Sequence, residues 1–387
     1  MFAVTEKELL LSLIMYYIFI IGIFEAVFLF ALIATKKKKS LADSILGGAF
    51  LLFALNILSA FVELYNRQNG YPFPVFISTT PPLILLHGPV LWFYVKAQTE
   101  QNFRFRTVHL VHFLPFLFVV GVFISMIYFL PQQVKIEMDA NEGFKQLPLY
   151  GVVMMMILII LPLYYILALN ILKKYTHRIK NYFSEIEHID LNWLRVLLIS
   201  SLVMSSIINL AFFIDSFIPL APFKTLQAAS FIFVSLYVLF LGFFGHKQES
   251  LFTKVPLQHV EPPAEPQQNI NKADETFIYT LLAAMKEKKP YLNPDLTLSA
   301  LSEEINVTEE YLSGILNNHL NRNFFDFVNQ YRVEDFKVQC QDIKNNPLTL
   351  IAIAYDCGFN SKATFNRVFK KTTNLTPSQY KGSVSIK

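Results

Sequence analysis

Between Ser361 and Lys371 the sequence reads "SKATFNRVFKK", and on a helix its residues divide into two stripes. Phe365, Val368 and Phe369 fall at i, i+3 and i+4, the spacing of a helix that seeks a core. Lys362, Ala363, Asn366, Arg367 and Lys370 fall on the opposite face. A core-facing helix needs only the first stripe. The second concentrates cations and an amide where they can meet phosphates and base edges in a major groove. No competing chemistry stands out. The serines lack His/Asp company at useful spacing, no phosphate-cradling glycine loop occurs, and the histidines lack metal-ligand spacing. Catalytic residues, metal and cofactor are therefore expected to be absent. Cys340 and Cys357 read as small buried apolar side chains, consistent with a reducing compartment.

The elements that must hold this helix are legible around it. "LTLIAIAYDCGFNSKATFNRVFKKT" gives a short helix opening at Thr349, then Gly358 in a left-handed position, then the helix above, capped by Asn360 or Ser361. The same arrangement occurs upstream: "LTLSALSEEI", the tight turn "NVT", and "EEYLSGILNNHL" capped by Thr308. That helix should bury Leu312, Ile315 and Leu316 and turn Glu309, Glu310, Ser313, Gly314 and Asn317 outward. A long helix, "FFDFVNQYRVEDFKVQCQDIK", joins the two units. Asp274 can cap a preceding helix whose Phe277, Leu281 and Met285 share a face, and "TPSQ" is a capping box, Thr376 to Gln379 with Pro377 at the first helical position. The expected boundaries are 297–320 and 349–372 for the helix-turn-helix units and 324–343 for the joining helix, within a domain over 274–387.

Charge separates the two units. From Cys357 to Lys387 there are six basic residues and no acid; from Leu298 to Leu320 there are four acids and no Lys or Arg. Phosphate neutralisation drives affinity for a duplex, so the second unit should carry most of it. The first is expected either to read cytosine N4 through a glutamate or to bind weakly.

The rest of the chain is of another kind. Across 387 residues 53% are apolar and only 16% charged, against roughly 25% in an ordinary soluble domain. Seven apolar runs lie near 9–34, 44–63, 80–96, 109–130, 148–172, 194–217 and 225–245, each about the ~20 residues that cross a bilayer as helix. The first is too long for a cleavable signal and is expected to stay as an anchor. One set of connections holds Lys36, Lys37, Lys38, Lys39, Lys96, Arg104, Arg106, Lys173, Lys174, Arg178 and Lys180; the other holds Lys7, Arg67, Lys135 and Lys145. Eleven against four places the first set in the cytoplasm, the N-terminus outside and the C-terminal domain inside. A carboxylate near mid-bilayer costs ~2.5 to 3.5 kcal/mol, so Glu25 should face the bundle interior. Glu25 and His87 are the expected signal-site residues, with interhelical packing as the other reading; Asn56, Asn170 and Asn209 are expected to serve packing. Residues 246–273, rich in Pro and Gln, read as a flexible linker.

At this point a resemblance can be stated. Residues from about Glu275 to Lys381 resemble the DNA-binding domain of AraC/XylS-type transcription regulators. It is carried by "LTLSALSEEINVTEEYLSGIL", "YRVEDFK" and above all "IAIAYDCGFNSKATFNRVFKKTTNLTPSQYK". The resemblance implies base contacts from Glu309, Glu310, Ser313 and Gly314 and from Lys362, Ala363, Asn366 and Arg367, phosphate contacts from Lys370 and Lys371, and RNA polymerase as a partner. The chain departs from the family at Leu316, Asn317 and Asn318, where Phe-Lys-Lys is usual, and at Phe336, where Ala is usual. The apolar half resembles, through "HGPVLWFYVK" and "HFLPF", the seven-span sensor region of Bacteroidetes-type regulators.

The expected molecule is therefore all-α: a seven-helix transmembrane bundle (1–245), a linker (246–273) and a cytoplasmic double helix-turn-helix domain (274–387). It would be a multi-pass protein of a bacterial inner membrane, not an enzyme. Its expected partners are double-stranded DNA, the lipid bilayer, a small-molecule or membrane-borne signal and a second copy of the chain. A transporter-like or scaffold protein whose tail binds another protein is the competing expectation.

Overall fold

The computed structural model describes residues 6–100, 102–218, 220–247, 272–342 and 348–384, and among them only helices and one isolated bridge occur as regular structure. The stretch 248–271, most of the expected linker, lies outside the described residues. The chain divides into two compact units: Met1–Leu172 with Asn192–Lys254, and Lys173–Leu191 with Val255–Lys387. Each is considered by itself.

The first unit contains α1 (Glu6–Ala34), α2 (Leu41–Gln68), α3 (Thr80–Thr99), α4 (Leu114–Phe123), α5 (Gln132–Ala140), most of α6 (Tyr150–Ile179), α7 (Asn192–Asp215) and α8 (Phe223–Lys247). The long apolar runs are helices, in which every backbone hydrogen bond closes within the segment. Among the described residues, six helical stretches are long and apolar enough to cross a membrane: Leu13–Ala34, Leu41–Gln68, Thr107–Tyr128, Tyr150–Ile179, Asn192–Asp215 and Phe223–Gly242. The expected run over 80–96 does form a helix, α3, but Thr80, His87, Lys96 and its prolines dilute its apolar character, and it is not among the six. The Thr107–Tyr128 stretch is irregular, a 3-10 turn leading into α4 and a π turn following it.

Ser40 caps α2 in a capping box with Asp43, which also pairs with Lys36 at 2.7 Å. Small residues let α1 and α8 approach: a Cβ at Gly22 would lie 2.7 Å from Ser235 Cβ, and one at Gly242 would collide with the Glu25 carboxylate. A core of Phe19, Ala26, Phe53, Ile57, Ala60, Phe231 and Val238 ties α1, α2 and α8 together.

The second unit holds α9 (Lys272–Glu287), α10 (Leu298–Glu304), α11 (Glu309–Gly314), α12 (Phe324–Gln341), α13 (Leu350–Asp356), α14 (Lys362–Thr373) and α15 (Pro377–Val384). Helix starts follow local chemistry. Thr297, Thr308, Asn323, Thr349 and Ser361 each accept a backbone N–H two or three residues on, offsetting a donor the helix leaves unpaired. Ser361, not Asn360, caps α14. Asp274 does not cap α9, which begins at Lys272; its carboxylate instead accepts the Tyr311 hydroxyl at 2.9 Å. The segment expected as one helix, 309–320, is shorter: α11 passes into a π turn over Ile315–His319.

The two turns between paired helices are alike. Asn306 (φ +58°) and Gly358 (φ +90°) occupy left-handed positions, and each turn closes with a bond across five residues, Val307 N to Ser302 O and Phe359 N to Ala354 O. Leu281, Met285, Leu298, Leu301, Leu312, Leu316, Phe327 and Val328 form the core of the first pair. The second pair is held by rings: Phe336 lies 4.7 Å from Phe365 and 5.3 Å from Phe369, and Phe359 lies 5.2 Å from Phe365. Phe336 is thus a fully buried hub, and each ring pair adds about 0.5 to 1.5 kcal/mol beyond its burial. Cys340 and Cys357 are buried free thiols, and burial pushes both above the usual thiol range, so neither is poised to react.

Candidate nucleic-acid interface

The α14 helix is built as its two stripes require. Thr364, Phe365, Val368 and Phe369 are buried, while Lys362, Ala363, Asn366, Arg367, Lys370 and Lys371 are exposed. Ser361 fixes its start, and Asn374 in a left-handed conformation ends it. Lys371 Nζ bonds Asp326 Oδ1 at 2.9 Å, which ties the end of α14 to the start of α12. Arg367 Nη1 stands 3.8 Å from Asp190 Oδ2. The capping box at Thr376 and Gln379 forms in both directions, and the Tyr380 ring of α15 meets Phe369 edge to face at 5.5 Å.

The corresponding helix of the first helix-turn-helix, α11, is weaker in the same role. Glu310 is exposed, but Glu309, Ser313 and Gly314 are only half-exposed. Ser313 accepts from the Asn317 side chain, through its carbonyl at 2.9 Å and its hydroxyl at 3.2 Å. Tyr311, which sequence reasoning left aside, packs on Phe277 with centroids 5.0 Å apart and leans on α9. No cation stands on this face, so of the two it is α14 that can neutralise phosphates.

Behind α14 lies a residue whose weight sequence reasoning missed. Arg332, in "YRVEDFK", is fully buried. Its Nε donates to Tyr291 O at 2.8 Å, and its Nη2 donates to Asn293 O at 2.7 Å and to Ser184 Oγ at 3.1 Å. Its Nη1 reaches Ser184 O and Asn329 Oδ1, both at 3.3 Å. Burial pushes the guanidinium down to about 10, against the pull of Glu185 and Asp295. The arginine in a joining helix was the available signal, but a sequence does not say that its face is inward.

The first unit encloses a cavity of about 170 Å³, comparable with an apolar cavity large enough for a small aromatic molecule. One end is polar. Arg67 clasps Asp139 through two bonds of 2.7 Å and donates to Gln227, and Gln227 donates in turn to the buried Glu63, which also accepts Thr80 N at 3.0 Å. Sequence reasoning had counted Arg67 as a loop cation; Glu63 one turn earlier in the same helix was the clue. His87 lines the cavity, with its ring 4.4 Å from Phe53. Asn209 lines it too, buried, with its Nδ2 lacking any partner. Glu25 does not line it, so the two expected signal-site residues are not brought together.

Comparison with known proteins bears on the second unit. A family model described as "Helix-turn-helix domain" matches residues 301–383. Two proteins named as uncharacterized HTH-type transcriptional regulators, from Staphylococcus aureus strains COL and MSSA476, are each 38% identical over 92 residues. The match covers 24% of this chain and 12% of each relative. The chain thus spans about an eighth of those relatives' length. No solved structure matches. Residues 301–383 are therefore a helix-turn-helix domain of the kind found in transcriptional regulators, which implies binding to DNA.

Proposed function

We propose that this chain is a membrane-integral, sequence-specific transcription regulator of AraC type, in which an apolar bundle senses a signal and controls a tethered DNA-binding domain. The observation that carries this reading is the joining, in one chain, of six membrane-capable helices to a capped helix with an exposed Lys362–Ala363–Asn366–Arg367–Lys370 stripe. On this reading α3 is a seventh crossing, because a domain that meets the chromosome must be cytoplasmic while the loop charges place the N-terminus outside. The domain runs over 274–387 behind a linker at 246–273, in a bacterial inner membrane. Self-association through the bundle, and contact with RNA polymerase as the resemblance implies, complete the proposal.

The test uses the full chain in lipid nanodiscs against a library of duplexes. Salt-sensitive binding enriched for particular sequences is expected; absence of binding at low salt would sink the reading. Arg367→Ala should relax discrimination by ~1 to 3 kcal/mol at one base position, whereas Lys370→Ala should weaken all duplexes alike and lower the salt slope by ~1. Equal losses on every sequence for Arg367→Ala would remove its base-reading role.

Within the same reading, the signal site is the cavity, at His87 and Asn209 and not at Glu25. An unpaired amide donor in an apolar chamber fits an apolar molecule carrying a hydrogen-bond acceptor, such as an ester or ketone. A diazirine-bearing methyl decanoate in the nanodisc should label the cavity wall at Ile208 in the native chain and lose that label in Met204→Trp, which fills the space. Labelling confined to lipid-facing positions such as Ile207, and unchanged by the substitution, would exclude the cavity.

A further inference from the structure

Residues 180–190, which lie between α6 and α7 in sequence, are built into the second unit. Helix N-termini leave backbone donors unpaired, and two of them here are served by carbonyls of this segment. Phe325 N in the first turn of α12 donates to Lys180 O at 2.8 Å, and Leu298 N at the start of α10 donates to Tyr182 O at 2.8 Å. Phe183 forms the isolated bridge with Thr297. Ser184 is fully buried. Its N and Oγ donate to Leu296 O at 3.2 and 2.6 Å, and its carbonyl accepts from Asn329 Nδ2 at 2.8 Å as well as from Arg332.

Beyond Ser184 the segment reaches α14. Glu185 Oε1 accepts the Thr364 hydroxyl at 3.0 Å, Glu187 Oε2 lies 3.5 Å from the same hydroxyl, and Asp190 is the carboxylate beside Arg367. Three acids thus stand against the helix that carries Lys362, Asn366 and Arg367.

We infer that the second unit presents an interaction surface whose occupant is this chain's own 180–190 segment, and that the docked segment competes with DNA for α14. A duplex brings a dense row of phosphates to that helix, and the carboxylates repel them within a Debye length. Arg367 faces Asp190 as it would face a base or phosphate. The dock is also incompletely satisfied, because Glu185 Oε2 is buried without a partner; a contact that leaves a buried carboxylate oxygen unpaired is one that can yield. The segment is continuous with α6 at one end and α7 at the other, so movement of either helix pulls on it directly. This gives the bundle a mechanical route to the domain that does not pass through residues 248–271. The inference rests on the DNA-binding reading of α14.

The experiment compares the full chain in nanodiscs with a Glu185→Gln, Glu187→Gln, Asp190→Asn variant, measuring affinity for a random-sequence duplex pool at low salt and amide exchange across 180–190. The variant is expected to bind about tenfold tighter, as removal of like charge from an interface allows, and the Ser184 amide of the native chain, protected when free, should exchange faster on DNA. Asp190→Asn alone, opposite the exposed Arg367, should give about a threefold gain by the same argument and stands in should the triple variant fold poorly. Variants that bind no tighter, or a Ser184 amide that stays protected on DNA, would overturn the inference. Failure of both native chain and variants to bind the pool removes the DNA-binding reading itself and this inference with it.

Discussion

Arg332→Ala is expected to cost the helix-turn-helix domain about 3 to 5 kcal/mol, because each buried carbonyl left without a donor costs about 1 to 3 kcal/mol. The substitution strips the partner from Tyr291 O, Asn293 O and one bond to Ser184 O at once. It also leaves a void beneath the Phe359 ring, over which the guanidinium lies at 5.8 Å. Arg332→Lys should recover only part of the loss, since a single ammonium cannot match the forked geometry that reaches carbonyls on separate loops. Amide exchange in α12 of the full chain reads the effect locally: about 10²- to 4 × 10³-fold faster exchange is expected for the alanine variant, at about 1.4 kcal/mol per tenfold. Exchange in α12 within threefold of the native rate would show that Arg332 is not the keystone described.

Gly358→Ala is expected to be nearly as damaging. At φ +90° a side chain is strained by roughly 1 to 2 kcal/mol whatever the space around it. Here the space is also filled: an added Cβ would collide with Tyr291 O, lie 3.0 Å from Leu292 Cα and 3.1 Å from Arg332 Nε. Backbone cannot swing aside as a flexible side chain can, so an overpacking cost of about 1 to 3 kcal/mol adds to the strain. The oxygen displaced is the one that accepts Arg332 Nε, so the two positions are coupled, and the double variant should cost less than the sum. Thermal unfolding of the second unit, followed by exchange in α12 and α14, checks both points. A Gly358→Ala chain that melts with the native one would contradict the reading of the turn.

Much of the second unit was legible because its determinants are local. Thr297, Thr308 and Thr349 cap helices through bonds three residues on. The capping box at Thr376 and Gln379 has the same short span. A left-handed turn asks for glycine or asparagine at one position, as at Gly358 and Asn306. The outward stripe of α14 follows from periodicity once Phe365, Val368 and Phe369 are taken as the core face. The choice between Asn360 and Ser361 as cap was open, because both side chains can accept that bond; the geometry of the turn selected Ser361.

What could not be read spans long stretches of chain. Arg332 meets Ser184 across 148 residues, Thr364 meets Glu185 across 179, and Arg67 meets Asp139 across 72. No periodicity or spacing rule connects such positions. In the sequence, Arg67 looked like a loop cation, and nothing singled out Ser184. Glu25 and His87 looked alike, as polar groups in apolar runs. Packing separated them, placing His87 on the cavity and Glu25 against the α8 backbone at Gly242.

The sequence by itself determined the helical character of the described residues, an apolar half able to supply membrane helices, a basic capped helix and its partner, since these rest on composition and on bonds within a few residues. Only the tertiary structure decided that the 180–190 segment caps α10 and α12, that its acids stand against α14, and that a buried arginine joins them. Those outcomes depend on which distant surfaces are apolar, unpaired and complementary at once, a property of the folded surfaces that no single stretch of sequence contains.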